Sequence, residues 1–114
     1  MKQLFITLIA LFLIVGCGPS DLEKIQEITS DAHHKGKITK IDDRVLVQEL
    51  IANYYPTPVV VSLLVSNKTE ILDANDNKID FSELRKGQLV EVWVDGWRES
   101  DPLKAGALKI KLIQ

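Results

Sequence analysis

An apolar run from Leu4 to Val15 stops at Gly16-Cys17-Gly18-Pro19, and that stop divides the chain in two. A helix needs roughly 20 apolar residues to cross about 30 Å of hydrocarbon, and this run has only 12. The glycines and proline break a helix where a span would have to continue. With Lys2 as its positive start, the layout predicts a cleaved signal peptide over residues 1–16. The remaining 98 of the 114 residues suffice for one compact domain and not for two. Cys17 is the only cysteine, so no intramolecular disulfide staples that domain. Its fold has to come from packing alone.

Charge narrows the function classes. Lys+Arg number 14 against 16 Asp+Glu, a net charge of −2, and loss of Lys2 with the signal deepens the acidic excess. Nucleic acid requires a basic face, so it is not an expected partner.

Ile14-Val15-Gly16-Cys17 resembles the lipobox of bacterial lipoproteins. In that class an aliphatic residue stands three before the cysteine and a small residue directly before it. The resemblance implies cleavage between Gly16 and Cys17 and attachment to the Cys17 sulfur of a diacylglyceryl lipid with two long acyl chains, such as palmitate. The expected location is the extracytoplasmic face of a bacterial cell membrane. Residues 17–35 then read as a polar, partly helical tether, since Leu22, Ile25 and Ile28 form only a thin apolar stripe.

From Gly36 to the end at 114, the pattern is that of short strands. Lys37–Ile41 and Val45–Leu50 flank the polar turn Asp42-Asp43-Arg44. Tyr54-Tyr55-Pro56-Thr57-Pro58 forces an extended loop. Val59–Val65 reads as a buried central strand that Thr69–Leu72 continues after a bend. Asp80-Phe81-Ser82-Glu83 looks like a capping box for a short helix, with Leu84 as its apolar contact and Gly87 as its stop. Gln88–Val94 alternates, placing Val90, Val92 and Val94 on one face, and Asp95-Gly96 suits a two-residue hairpin turn into a brief return strand. Leu108, Ile110 and Leu112 alternate with Lys109 and Lys111 in a closing strand. Five strands with a helix between the third and fourth match the oligonucleotide/oligosaccharide-binding (OB) barrel plan. The expected class is therefore mainly β, a small five-stranded OB-like barrel behind a signal peptide and tether, ranked above a small open sandwich or an SH3-like barrel, which give a similar strand pattern.

Several stretches together resemble the YobA-like lipoproteins of Gram-positive bacteria, a domain of unknown function. They are Gly36-Lys37-Ile38, Arg44-Val45-Leu46-Val47, the run from Leu84 to Trp93, and Glu99-Ser100-Asp101-Pro102 with Ala105, Ala107, Lys109 and Ile110. The resemblance covers Gly36 to Leu112 and departs at Asp101, where family members often carry Tyr. It implies a surface location and a compact β domain, and it carries over no catalytic residue.

Asp73, Asn75 and Asn77 match positions one, three and five of an EF-hand loop, but Lys78 stands where the invariant glycine belongs and Leu84 where the bidentate glutamate belongs. A polar turn is the expected reading. His33-His34 invites zinc, yet adjacent side chains on a strand point apart and no further His or Cys completes a set. They are expected in the exposed tether. Ser62, Ser66, Ser82 and Ser100 lack a nucleophile motif. No metal, cofactor or catalytic set is expected.

Trp93 and Trp97, flanking Asp95-Gly96, and Tyr54-Tyr55 are the candidate binding residues, because Trp and Tyr dominate binding hot spots. A Trp–Trp pair that merely stiffens a hairpin is the competing reading. The expected function is a membrane-anchored binding or interaction module with an envelope protein or glycan as partner. The alternatives are an envelope-directed hydrolase using carboxylates such as Glu99 and Asp101, or a structural accessory without a ligand.

Overall fold

The computed structural model describes residues 20–28 and 30–113. The predicted signal peptide, Gly16 and Cys17 lie outside the described residues. Among the described residues six strands follow one short helix: α1 (Asp21–Gln26), β1 (His34–Ile41), β2 (Val45–Glu49), β3 (Val60–Leu64), β4 (Glu70–Leu72), β5 (Leu89–Val94) and β6 (Leu103–Leu112). A single 3-10 turn, Phe81–Glu83, separates β4 from β5.

β1, β2 and β3 form an antiparallel meander, β1 also pairs antiparallel with β5, and β5 with β6. Parallel pairing of β6 with β3 closes the ring β3-β2-β1-β5-β6. The result is a closed five-stranded barrel of the OB arrangement. β4 takes over from β3 along the same side of β6, at Lys109–Lys111, so it continues the third strand after a bend. Inward residues of every barrel strand meet in one core, among them Ile38, Val47, Val61, Leu63, Val90, Val92 and Ile110, with Leu84 plugging one end. Closure leaves no barrel strand with a free edge, which makes the fold possible without a disulfide.

Three local expectations are corrected. The capping box at Asp80 forms, with its side chain accepting from Ser82 N–H and Glu83 reaching back to Asp80 N–H at 3.1 Å. It starts only a 3-10 turn, which ends at Leu84, so Gly87 (φ 91°) serves the turn into β5 instead. Asp95-Gly96 is not a two-residue hairpin. Only Gly96 has positive φ, and the chain runs on through Pro102 before a β6 of 10 residues.

Leu108 does not face the core. Trp93 pairs with Lys109 while Val94 pairs with Ala107, so Leu108 is the extra residue of a bulge. One inserted residue flips the alternation. Ala105 and Ala107 point inward before it, Ile110 and Leu112 after it, and Leu108 is left 52% exposed.

The described part of the expected tether is partly helical and packs on the barrel. Ser20 caps α1, its side chain accepting from Glu23 N–H at 3.2 Å, and Ile25 is fully buried. Asp21 pairs with Lys37, Lys35 Nζ donates to Ile28 O at 3.1 Å, and Ser30 Oγ donates to Glu91. These contacts lay α1 and the segment after it along the outer face of β1 and β5. The apolar stripe is as thin as the sequence suggests, and polar partners distant in sequence do the docking. β1 accordingly begins at His34, before the expected boundary.

Candidate functional site

Three segments meet at one end of the barrel: the entry into β1, the β2–β3 loop (50–59) and the β5–β6 loop (95–102). Register explains the meeting. His34 stands opposite Val92 and Gly36 opposite Glu49, so the start of β1 lies beside the end of β5 and the end of β2. Pro56 and Pro58 stiffen one loop, and the positive φ of Gly96 turns the other back.

Tyr54 and Trp97 come together there, with ring centroids 4.7 Å apart and planes tilted by 52°. The His33 ring lies 6.1 Å from Tyr54 in a stacked arrangement. Trp97 Nε1 donates to the Tyr55 hydroxyl at 3.1 Å, which donates to Glu99 Oε1 at 3.3 Å. His33 Nδ1 accepts the Val94 N–H at 3.0 Å, which places the neutral ring's proton on Nε2. Asn53 Nδ2 donates to His33 O at 3.1 Å and ties the tyrosine loop to the same strand entry. Beside Tyr54 a cleft of about 340 Å³ opens over Asp31, His33, Lys35 and Asn53.

Beneath the aromatics sits a group that sequence reasoning missed. His34, expected in an exposed tether, is 1% exposed. Its Nδ1 lies 2.6 Å from Glu49 Oε2, and Glu49 is equally buried. The other Glu49 oxygen accepts the Val59 N–H at 3.0 Å, pinning the far end of the tyrosine loop. The His34 ring packs edge-on against Trp97, centroids 5.8 Å apart, and its Nε2 has no hydrogen-bond partner among the described residues. Burying two such groups is costly unless they pair. No pattern at a separation of 15 residues announces that pairing in the sequence.

Of the four expected aromatic residues, Tyr54, Tyr55 and Trp97 converge and Trp93 does not. Trp93 lies on the outer face of β5, its Nε1 donating to Asp31 Oδ1 at 3.0 Å and Lys109 Nζ lying 4.2 Å from the ring centroid. That indole bond holds the Asp31 carboxyl below its ordinary range. Tyr54 is the exposed member at 52%.

The other candidates are separately employed. Asp73 Oδ1 accepts from Asn75 and Asn77 N–H at 2.8 and 2.9 Å, forming the expected polar turn and lowering its pKa. No three His, Cys, Asp or Glu side chains gather as a metal site among the described residues. Glu99 and Asp101 are exposed along a shallow hollow with Tyr55 and Leu103. Ser62 accepts from Arg44 Nε, Ser66 from Lys68 N–H, Ser82 donates to Asp80 and Ser100 to Pro102 O.

No curated protein sequence and no solved structure matches the chain significantly. A family model described as a protein of unknown function (DUF3221) matches residues 35–114, which spans the barrel and more than half of the chain. The chain therefore belongs to this family of proteins of unknown function, DUF3221.

Proposed function

We propose that this chain is a lipid-anchored binding module, held at the extracytoplasmic face of a bacterial cell membrane through Cys17, with the Tyr54–Trp97 end of the barrel as its docking end. The lipobox-like Ile14-Val15-Gly16-Cys17 and the resemblance to Gram-positive lipoproteins support the anchor. Each buried CH₂ of an acyl chain contributes about 0.8 kcal/mol, so two chains hold a small domain on the bilayer.

The observation that carries the binding reading is the convergence of Tyr54, Tyr55 and Trp97 from two separate loops. A hairpin stiffened by a Trp–Trp pair would have brought Trp93 to Trp97. Instead Trp97 packs on a tyrosine that is half exposed, as a docking platform requires. The buried Glu49 clamp holds that platform in place. An envelope glycan or protein is the expected partner.

Two measurements test the two halves. Cells fed a labelled fatty acid should incorporate label into the wild type and not into Cys17→Ala, and an unlabelled wild type would refute the anchor. Pull-down from envelope extracts should lose its partner with Tyr54→Ala and Trp97→Ala while Trp93→Ala retains it. Equal recovery by all three folded variants would remove the docking end.

A further inference from the structure

The barrel carries a second surface, on its β2-β3-β6 side, whose charge opposes that of the chain as a whole. A hollow of about 310 Å³ there is lined by Arg44, Leu64, Arg98, Lys104, Ala105 and Gly106, so every charged residue in its wall is a cation. The net charge of the whole chain is −2. Register explains the gathering. Leu46 pairs with Ser62, Ser62 with Lys104, and Lys104 bridges to Arg98, so these residues form one row across the outer face. Arg44 precedes β2 one row along, beside Leu64 and Gly106.

Arg44 is fixed in place. Its Nε donates to Ser62 Oγ at 2.7 Å, and Nη2 donates to Ser62 O at 2.9 Å and Ala105 O at 3.5 Å. Nη1 keeps its N–H groups free of any partner among the described residues. Arg98 and Lys104 are exposed, and neither side chain has an ion-pair partner among the described residues. The neighbouring Lys40 is already taken by Asp42 at 3.2 Å. Above Gly106 a Cβ would meet nothing within 4 Å, which keeps the floor open.

We infer that this strip binds an extended polyanion, a flexible phosphodiester-linked polymer lying across β3 and β6 from Arg44 to Arg98. Arg44, pinned over β3 with Nη2 3.5 Å from Ala105 O on β6, and the exposed Arg98 and Lys104 place three cations along that path, so repeated anions suit the strip better than a single one. The floor of Leu64, Ala105 and Gly106 is aliphatic and offers no ring for stacking bases, which disfavours nucleic acid. Glu99 and Asp101 line the adjoining hollow and end the basic strip on that side. Access to such a polymer outside the cell rests on the extracytoplasmic reading above.

The test is calorimetric titration of the full chain in neutral detergent with a glycerol phosphate decamer. At a slope of about −0.7 per phosphate neutralised, three contacts weaken binding about 18-fold between 50 and 200 mM salt. Arg98→Ala with Lys104→Ala, both exposed and therefore tolerated by the fold, should cut that salt effect to about 3-fold and weaken binding at least tenfold. Lys109→Ala, on the Trp93 face, should change nothing. The inference is overturned if the double variant binds like wild type. It is equally overturned if inorganic phosphate, single-stranded DNA of equal charge or anionic phosphatidylglycerol vesicles bind the strip more tightly than the decamer. Lost decamer binding with Cys17 labelling intact defeats this inference alone. Intact decamer binding without labelling at Cys17 defeats only the anchor.

Discussion

Gly36 is the residue whose replacement tests the barrel most sharply. It pairs with Glu49 on one side and Val90 on the other, in the middle of the ring. A Cβ placed on it would stand 2.0 Å from Gln48 O, 2.7 Å from Gln48 C and 2.9 Å from Glu49 Cα. All three are backbone atoms, so no side chain can turn aside. Restoring an ordinary contact requires β1 and β2 to part by more than 1 Å. That strains the Leu50 N–H to Lys35 O bond, 3.1 Å long, and shifts Glu49 relative to His34. Losing one or two ladder bonds at about 1 kcal/mol each, with overpacking of about 1–3 kcal/mol, gives a range of about 2–5 kcal/mol for Gly36→Ala, centred on about 3–4. Stability of a domain this size is about 5–15 kcal/mol, and each kcal/mol lowers Tm by about 4–8 °C. The melting temperature should fall by about 12–30 °C, followed by circular dichroism. Gly106→Ala is the internal control: same substitution, same sheet, nothing within 4 Å and no positive φ. It should be neutral or stabilise by up to about 1 kcal/mol, through loss of freedom in the unfolded chain. If the two variants melt within 3 °C of each other, the close-approach argument is wrong.

Four further outcomes are expected. Glu49→Ala strands the buried His34 and frees Val59 N–H, and should cost about 3–5 kcal/mol in chemical denaturation. Tyr55→Phe removes the hydroxyl between Trp97 and Glu99, costing about 1 kcal/mol and shifting the Trp97 fluorescence maximum while leaving Trp93 unchanged. Leu84→Ala opens the plugged barrel end and should cost about 2–5 kcal/mol. Asp31, Asp73 and Asp80 all sit below the ordinary carboxyl value of 3.8, held there chiefly by Trp93 Nε1–H, Asn77 N–H and Ser82 respectively. Depressed pKa values mean that the stability these groups contribute is complete above that value and is lost as pH falls through the lower folded values. Trp93→Phe should therefore raise the Asp31 pKa toward 3.8 in an NMR titration and leave Asp73 where it is.

Local signals were legible wherever neighbours in sequence decide the structure. The alternation of Val90, Val92 and Val94, the polar turn at Asp73, the capping box at Asp80 and the polar turn before β2 all formed as their residues imply. Those signals, with the absence of any disulfide partner for Cys17, were enough to point to a five-stranded OB-like barrel. The helix between strands shrank to a 3-10 turn because Leu84 goes into the core as a plug rather than continuing a helix. The candidate aromatics were legible as residue types but not as a set, since Trp93 and Trp97 are close in sequence and take different neighbours.

What the sequence by itself determined is the strand-rich class and the order of its elements, because hydrophobic period, turn residues and composition are local properties. Only the tertiary structure decided where the polar residues go. Closure of β6 onto β3 sets the register that gathers Arg44, Lys104 and Arg98 on one outer face. The same register brings two loops together as Tyr54 and Trp97, and it buries His34 against Glu49 beneath them. A bulge at one residue turned Leu108 outward. Each of these depends on the pairing of strands distant in the chain, and a side chain carries no mark of a partner that only the closed barrel supplies.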